Sequence, residues 1–435
     1  MMWDAEIKDP FCDPKNPVVV PFCEIASASI LIRDGIVKTP CELSRITDLT
    51  CMNVYLKKDY MQYTGNFKER GARYAMLKLD EASKKRGLVS ASAGNHAQAM
   101  CWHGLNLGIP ITVVMPITAP IMKVQRCRKF KANVIVDGIN MYEAKNIALR
   151  YARDNNAIYI SGYDNPDVIA GQGTCGLEIL DQVPNVDVII VPTGGGGLLA
   201  GVAAAVKTVK PSVKVYGVES VNCMSFAVAM KAGGPTLIEA KPTLADGLAV
   251  PCVGYNAYAT AKKYIDGMIQ VKEEDIAVAI LRLVEIEKAI VEGSGAAPVA
   301  AVLSGQLAGE CKNKNVVLIC SGGNIDTTVL SRVLDRGLAS DGRLIKTYVT
   351  VSDRPGGLAE LLQLITSLGI PVKHINQERA WVKLDIFSVE VKLTCETRDY
   401  DHAKELEFAL KEKYGDNARI DYVQFPASSG ASRKF

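Results

Sequence analysis

The sequence predicts an α/β fold built on buried parallel strands, followed by a smaller α+β domain. Three observations predict it. From about Val54 to Asn324, short apolar runs rich in β-branched residues alternate with helix-like stretches. Glycine-rich turns follow directly on several of these runs, where open parallel sheets bind ligands. After a polar joint at 339–343 the order changes to strand, helix, strand, strand, helix, strand.

The strand-like runs lie at 87–91, 111–116, 133–136, 157–160, 186–192, 214–219 and 316–320, each apolar enough to be buried on both faces. Between them, 141–155 and 275–291 repeat apolar positions at three- and four-residue intervals, the spacing of a helix face. A helix is expected over 327–338. Beyond the joint, strands are expected at 345–351, 372–378, 387–394 and 418–423, with helices at 357–368 and 401–414. That is the ferredoxin-like βαββαβ order. The small, polar residues 427–435 are expected to fray.

Bulk properties agree with this class. At 435 residues the chain exceeds what one core serves, so two or three domains are expected. Apolar residues make up 48% and charged residues 22%, a globular balance without disordered bias. A net charge of +3, with no basic stripe, lacks the footprint of a nucleic-acid binder. The 12 cysteines are scattered without a C-x-x-C pair, many in apolar runs like that of Cys320, which points to reduced thiols. His96, His103, His374 and His402 show no metal-ligand spacing. No apolar stretch reaches the ~18 residues of a membrane span. Asp4, Glu6 and Asp9 stand where a leader would be apolar. A soluble cytoplasmic protein without nucleic-acid or membrane partners is expected.

One lysine invites a chemical reading. Lys68, in Thr64-Gly65-Asn66-Phe67-Lys68-Glu69-Arg70-Gly71-Ala72, opens a helix-like stretch. An amine held in apolar surroundings has a lowered pKa and forms a Schiff base with an aldehyde; in isolation, a solvated surface lysine is the plainer reading. Gly194-Gly195-Gly196-Gly197 follows an apolar strand and opens an alanine-rich helix. Successive N–H groups there approach an anion unobstructed by Cβ atoms, at a helix N-terminus. Gly195, Gly197 and Ala200 also fit G-x-G-x-x-A, with Glu219 as a ribose-binding acid, so a dinucleotide site is a rival. That rival leaves unused Lys68 and two polar turns at strand ends, Ser92-Ala93-Gly94-Asn95-His96 and Ser321-Gly322-Gly323-Asn324. Either turn alone reads equally as a helix cap.

Together these motifs resemble the pyridoxal-phosphate enzymes of the tryptophan-synthase-β group, and within it the serine/threonine dehydratases and serine racemase. The resemblance covers roughly 25–335 and includes Ala245-Asp246-Gly247-Leu248 and Glu292-Gly293-Ser294-Gly295-Ala296 in family order. It implies PLP fold type II, two open twisted α/β subdomains within a catalytic domain at 1–340, the smaller at about 87–165. It implies pyridoxal 5'-phosphate as cofactor. Lys68 is then the Schiff-base lysine beside Phe67, Gly194, Gly195, Gly196 and Gly197 hold the phosphate, Asn95 bonds the 3′-oxygen and Ser321 the ring nitrogen. Ser92, Ala93, Gly94 and Asn95 hold the carboxylate of an amino-acid substrate.

A hydroxyl partner leaves the ring nitrogen largely unprotonated and the ring a weaker electron sink, which favours loss of a β-substituent over transamination. The implied activity is elimination and deamination of L-threonine and L-serine to 2-oxo acids and ammonia. Serine racemases carry a serine where Ala93 stands, so the dehydratase reading is preferred to the racemase one. A family metal site would use Glu219, but Ser225 replaces the second acid and leaves the metal unassigned. Residues 345–425 resemble an ACT domain, with Gly356, Gly357 and Leu358 as the effector-binding turn. The resemblance implies an amino-acid effector and a homo-oligomer, dimer or tetramer.

Overall fold

The computed structural model describes residues 9–382 and 385–421 and divides into two compact units, Met1–Ile325 and Asp326–Phe435. The first holds two sheets. In the larger, strands β1 (Cys41–Leu43), β2 (Asn53–Lys57), β7 (Val188–Pro192), β8 (Lys214–Ser220), β9 (Gly267–Val271) and β10 (Asn315–Ile319) run in the order β1-β2-β10-β7-β8-β9. Only β1 is antiparallel to its neighbour. The smaller is wholly parallel, with β3 (Leu88–Ala91), β4 (Ile111–Met115), β5 (Asn133–Val136) and β6 (Ile158–Tyr159) in the order β5-β4-β3-β6. Its β4 is buried at every position, as the unbroken run Ile-Thr-Val-Val-Met requires.

Three glycine-bearing helices position the site. Lys68–Leu77 crosses Pro166–Gln182 where Gly71 meets Gly171; a Cβ on Gly171 would fall 2.6 Å from the Gly71 Cα. Pro166–Gln182 then meets Gly197–Val209 at Gly173 and Gly201. Backbones touch because no side chain intervenes, and this draws the start of the Lys68 helix against the large sheet. An ion cluster ties the same helix down: Arg70 forms two bonds of 2.8 Å to Asp59 and two, of 2.7 and 2.9 Å, to Glu178, the second on the oxygen that also receives Lys57 at 2.6 Å.

The second unit contains β11 (Leu344–Ser352), β12 (Val372–Glu378), β13 (Ser388–Glu396) and β14 (Ala418–Asp421), antiparallel in the order β12-β13-β11-β14, with helices Gly357–Ser367 and Tyr400–Tyr414. The order of elements is βαββαβ. Its core includes Val349, Leu361, Leu393 and Leu406.

Some boundaries differ from the sequence expectations. The helix expected over 275–291 is Glu273–Glu285, and the chain then turns through Lys288 at φ 56°, a left-handed value no helix continues through. Thr327–Ser340 groups with the second unit, so the division falls at 325/326 rather than at the polar joint. The short strands β1, β2 and β9 had no counterpart in the sequence reading. Residues 422–423 of the last expected strand, 422–425 of the expected C-terminal domain, the 427–435 tail, and Asp4 and Glu6 lie outside the described residues. No helix among the described residues is long and apolar enough to cross a membrane.

Candidate active site

Lys68 is the first residue of its helix, and the segment before it is fastened to the turn after β10. Phe67 donates its N–H to the Ser321 carbonyl at 2.9 Å, Gly323 to that of Gly65 at 2.9 Å, and Asn66 forms an isolated bridge with Gly322. The Asn66 side chain accepts the Lys68 N–H at 3.0 Å. Lys68 and buried Ser321, far apart in sequence, therefore belong to one backbone arrangement.

The Lys68 Nζ lies 4.9 Å from the Phe67 ring centroid and donates to the Gly162 carbonyl at 2.5 Å. Part of the residue stays accessible, but its ammonium end is desolvated. Burial pulls its pKa down to about 8, against the opposing pull of Glu292. Near neutral pH a usable fraction of this amine is thus unprotonated.

Residues 162–163 join Lys68 to the glycine turn. Beyond Gly162, Tyr163 covers the glycines so closely that a Cβ on Gly195 would meet its Cγ at 2.3 Å, and one on Gly197 its carbonyl oxygen at 2.5 Å. Gly196 caps the helix with φ 90°, a conformation glycine adopts without penalty. The first N–H groups of Gly197–Val209 have no intrahelical acceptor and point at the turn. The sequence reading passed over Ser161-Gly162-Tyr163-Asp164, although it too is a polar turn at a strand end.

The turn after β3 brings in the other predicted residues. Asn95 starts the helix Asn95–Leu107; its amide donates to Glu292 at 2.6 Å and its oxygen accepts from Asn324 at 2.9 Å. Ser92 acts as a cap, its hydroxyl accepting the N–H groups of Gly94 and Ala97 at 3.3 Å each. A Cβ on Gly94 would meet nothing within 4 Å, and Ala93 leans on the core of the smaller sheet. Buried His96 contacts the Ile160 carbonyl at 3.4 Å, and burial beside Lys68 lowers its pKa to about 3, leaving it neutral.

Glu292 is the residue the sequence reading undervalued. Burial, reinforced by Asp246, pushes its carboxyl up to about 7 despite the bond from Asn95. Its place in a Gly-Ser-Gly segment that opens a helix was the available signal. The dinucleotide alternative loses its acid, because Glu219 spends both oxygens on the N–H groups of Phe226, at 2.6 Å, and Ala227, at 3.0 Å. Among the described residues no group of three or more His, Cys, Asp or Glu is arranged to hold a metal. Gly356, Gly357 and Leu358 start the helix Gly357–Ser367 of the second unit, with Gly356 at φ 107°. Beside that turn, Arg379 grips Asp353 with bonds of 2.7 and 2.8 Å.

The sequence profile of the family described as "Pyridoxal-phosphate dependent enzyme" matches residues 32–322. The chain belongs to that family. L-threonine ammonia-lyase of Thermotoga maritima is 41% identical over 388 residues, 89% of this chain and 96% of its own. Threonine deaminase isoform 2 of Solanum lycopersicum, in its processed form, superposes with a TM-score of 0.70 at 33% identity, covering 74% of this chain and 95% of that one. Serine racemase of Dictyostelium discoideum does so at 0.67 and 34%, covering 71% and 99%.

The two-sheet architecture is therefore PLP fold type II, and the protein is a pyridoxal-phosphate-dependent enzyme. The residues present suit that cofactor. A desolvated amine faces a carbonyl rather than a carboxylate, the glycine turn is a cradle that Cβ atoms would fill, and the buried Ser294 hydroxyl has no protein partner.

Proposed function

We propose that this enzyme is an ammonia-lyase acting on L-threonine, and on L-serine as well, yielding 2-oxobutanoate or pyruvate and ammonia. The observation that carries the reading is the Lys68 amine, desolvated at a helix start bound to the Ser321 turn and joined through residues 162–163 to the tetraglycine turn. The identity to L-threonine ammonia-lyase over nine-tenths of the chain supports the substrate.

When bound, pyridoxal phosphate supplies the electron-withdrawing ring that acidifies the substrate Cα–H. Lys68 would hold the cofactor beside Phe67, and its free amine, with a pKa of about 8, would serve as the base for the Cα proton near neutral pH. Gly194–Gly197 would hold the phosphate through N–H groups at a helix N-terminus. Asn95 would hold the 3′-oxygen of the bound cofactor, and Ser321 would offer its ring nitrogen a hydroxyl, which does not protonate it. The turn from Ser92 to Asn95 receives the substrate carboxylate. The β-hydroxyl would leave as water, carrying away the proton taken from Cα, and hydrolysis of the C=N bond left after tautomerisation would consume one water and release ammonia.

The first unit is read as catalytic and the second as an ACT-type regulatory domain taking an amino acid at Gly356–Leu358, in a cytoplasmic homo-oligomer of two or four chains. Its βαββαβ order supports that assignment. Purified protein should show the cofactor's absorbance and release 2-oxo acid from threonine and serine, at rates altered by a regulatory amino acid. Lys68→Ala should abolish both absorbance and turnover. Absorbance without 2-oxo acid from either substrate would overturn the lyase reading.

A serine racemase is the second reading, favoured by the likeness to the Dictyostelium enzyme. Against it, the methyl of Ala93 cannot deliver a proton to the opposite face of Cα. Ala93→Ser should introduce racemisation of serine; native protein that racemises serine as fast as it deaminates it would reverse the preference.

A further inference from the structure

Behind the Lys68 helix, within the first unit, lies a cavity of about 430 Å³ that the reaction does not use. Its walls combine the apolar Ile36, Leu107 and Trp102, the last stacked on Tyr63 with ring centroids 3.7 Å apart, with one arginine and two acids. The arginine, Arg73, is unusual. Its Nε is buried without a hydrogen-bond partner, and among the described residues no carboxylate is paired with its guanidinium. Burial works against its charge, and Asp34 and Glu69 act on it only at a distance. Gly35 makes room for it, since a Cβ there would strike the guanidinium carbon at 1.8 Å.

A guanidinium stays charged at any physiological pH, so a half-desolvated and unpaired one creates demand for an anionic partner. The two acids restrict what that partner is. Glu69 is engaged, accepting from the Thr64 hydroxyl at 2.8 Å and lying 3.2 Å from His103. Asp34 is exposed, and among the described residues its ion pair is with its neighbour Arg33, at 3.7 Å. With two negative groups beside one positive group, a phosphate or other simple anion meets net repulsion, whereas a zwitterion satisfies Arg73 and Asp34 together. We propose that this cavity binds a free α-amino acid with a compact apolar side chain, carboxylate on Arg73, ammonium toward Asp34 and side chain among Ile36, Leu107 and Trp102.

The test is calorimetric titration of the holoenzyme with L-leucine, with 4-methylpentanoate, which lacks only the ammonium, and with inorganic phosphate. Leucine should bind, 4-methylpentanoate about tenfold more weakly and phosphate more weakly still. Arg73→Gln should weaken leucine about tenfold or more, and Asp34→Asn should erase its advantage over 4-methylpentanoate. Val37→Trp, at an exposed position on the rim, fills the cavity without removing a buried group and should also abolish binding. Leucine binding unchanged in Arg73→Gln and Val37→Trp would overturn the proposal, as would phosphate binding as tightly as leucine. A shift in oligomer mass on Arg73→Gln with leucine binding intact would assign the cavity to an interface between copies and equally overturn it.

Discussion

The Asn95 amide donates to the Glu292 carboxylate at 2.6 Å, joining residues 197 positions apart beside the candidate catalytic lysine. The bond does two things. It fixes the Asn95 side chain, whose oxygen also receives Asn324, and it holds a carboxyl whose pKa is about 7 within electrostatic reach of Lys68.

Glu292→Gln should keep the contact with Asn95 while removing the charge. Weakening that bond from charge-assisted to neutral, by about 1 kcal/mol, should lower kcat/KM at pH 8 about fivefold. The pH profile should also lose an ionisation near 7 and show the Lys68 pKa displaced below about 8, since Glu292 is what pulls it up. Profiles that superimpose would remove Glu292 from any part in the titration.

Gly195→Ala drives a methyl to 2.3 Å from the Tyr163 ring. It should cost about 1–3 kcal/mol of stability and empty the protein of cofactor, read by denaturant unfolding and by absorbance after dialysis. Gly309→Ala, in open space, is the control and should stay within about 0.5 kcal/mol of the native protein.

Arg70→Met leaves buried Asp59 and partly buried Glu178 beside Lys57 alone, and should destabilise by about 3–5 kcal/mol in urea. The double change Arg70→Met with Asp59→Leu should recover part of that loss. Burial pushes the Asp59 carboxyl up, but Arg70, Lys57 and Thr39 outweigh it and leave its pKa lowered. Its contribution is therefore present above the unfolded value of about 3.9 and lost as pH falls through the lower native one.

Glu219 carries the opposite sign. Burial raises its carboxyl to about 7 against two N–H bonds from Phe226 and Ala227. Its contribution is fully present below the unfolded value of about 4.3 and is lost as pH rises through the native value. Glu219→Gln should flatten the fall in stability between pH 5 and pH 8, by on the order of 2 to 4 kcal/mol in urea titrations at the two pH values.

Much of this architecture was legible in local pattern. Continuous apolar runs such as 111–116 announced doubly buried parallel strands, and the strand-end glycine and asparagine turns are turns in the structure too. Less was legible where an element owes its place to a distant partner. β9 pairs with β8 across a long connection. The helix after Lys272 stops where a left-handed Lys288 reverses the chain, and neither event has a composition signature.

By itself the sequence determined that the chain is α/β, that its glycine, asparagine and serine turns stand at strand ends, and that it belongs with pyridoxal-phosphate enzymes, because periodicity and short motifs are properties of neighbouring residues. Only the tertiary structure decided that Lys68 is desolvated, that Tyr163 links it to the glycine turn, and that Glu292 holds Asn95 with a carboxyl near neutrality. Those are effects of burial and of charges brought within a few ångströms, and a linear chain contains neither until it folds.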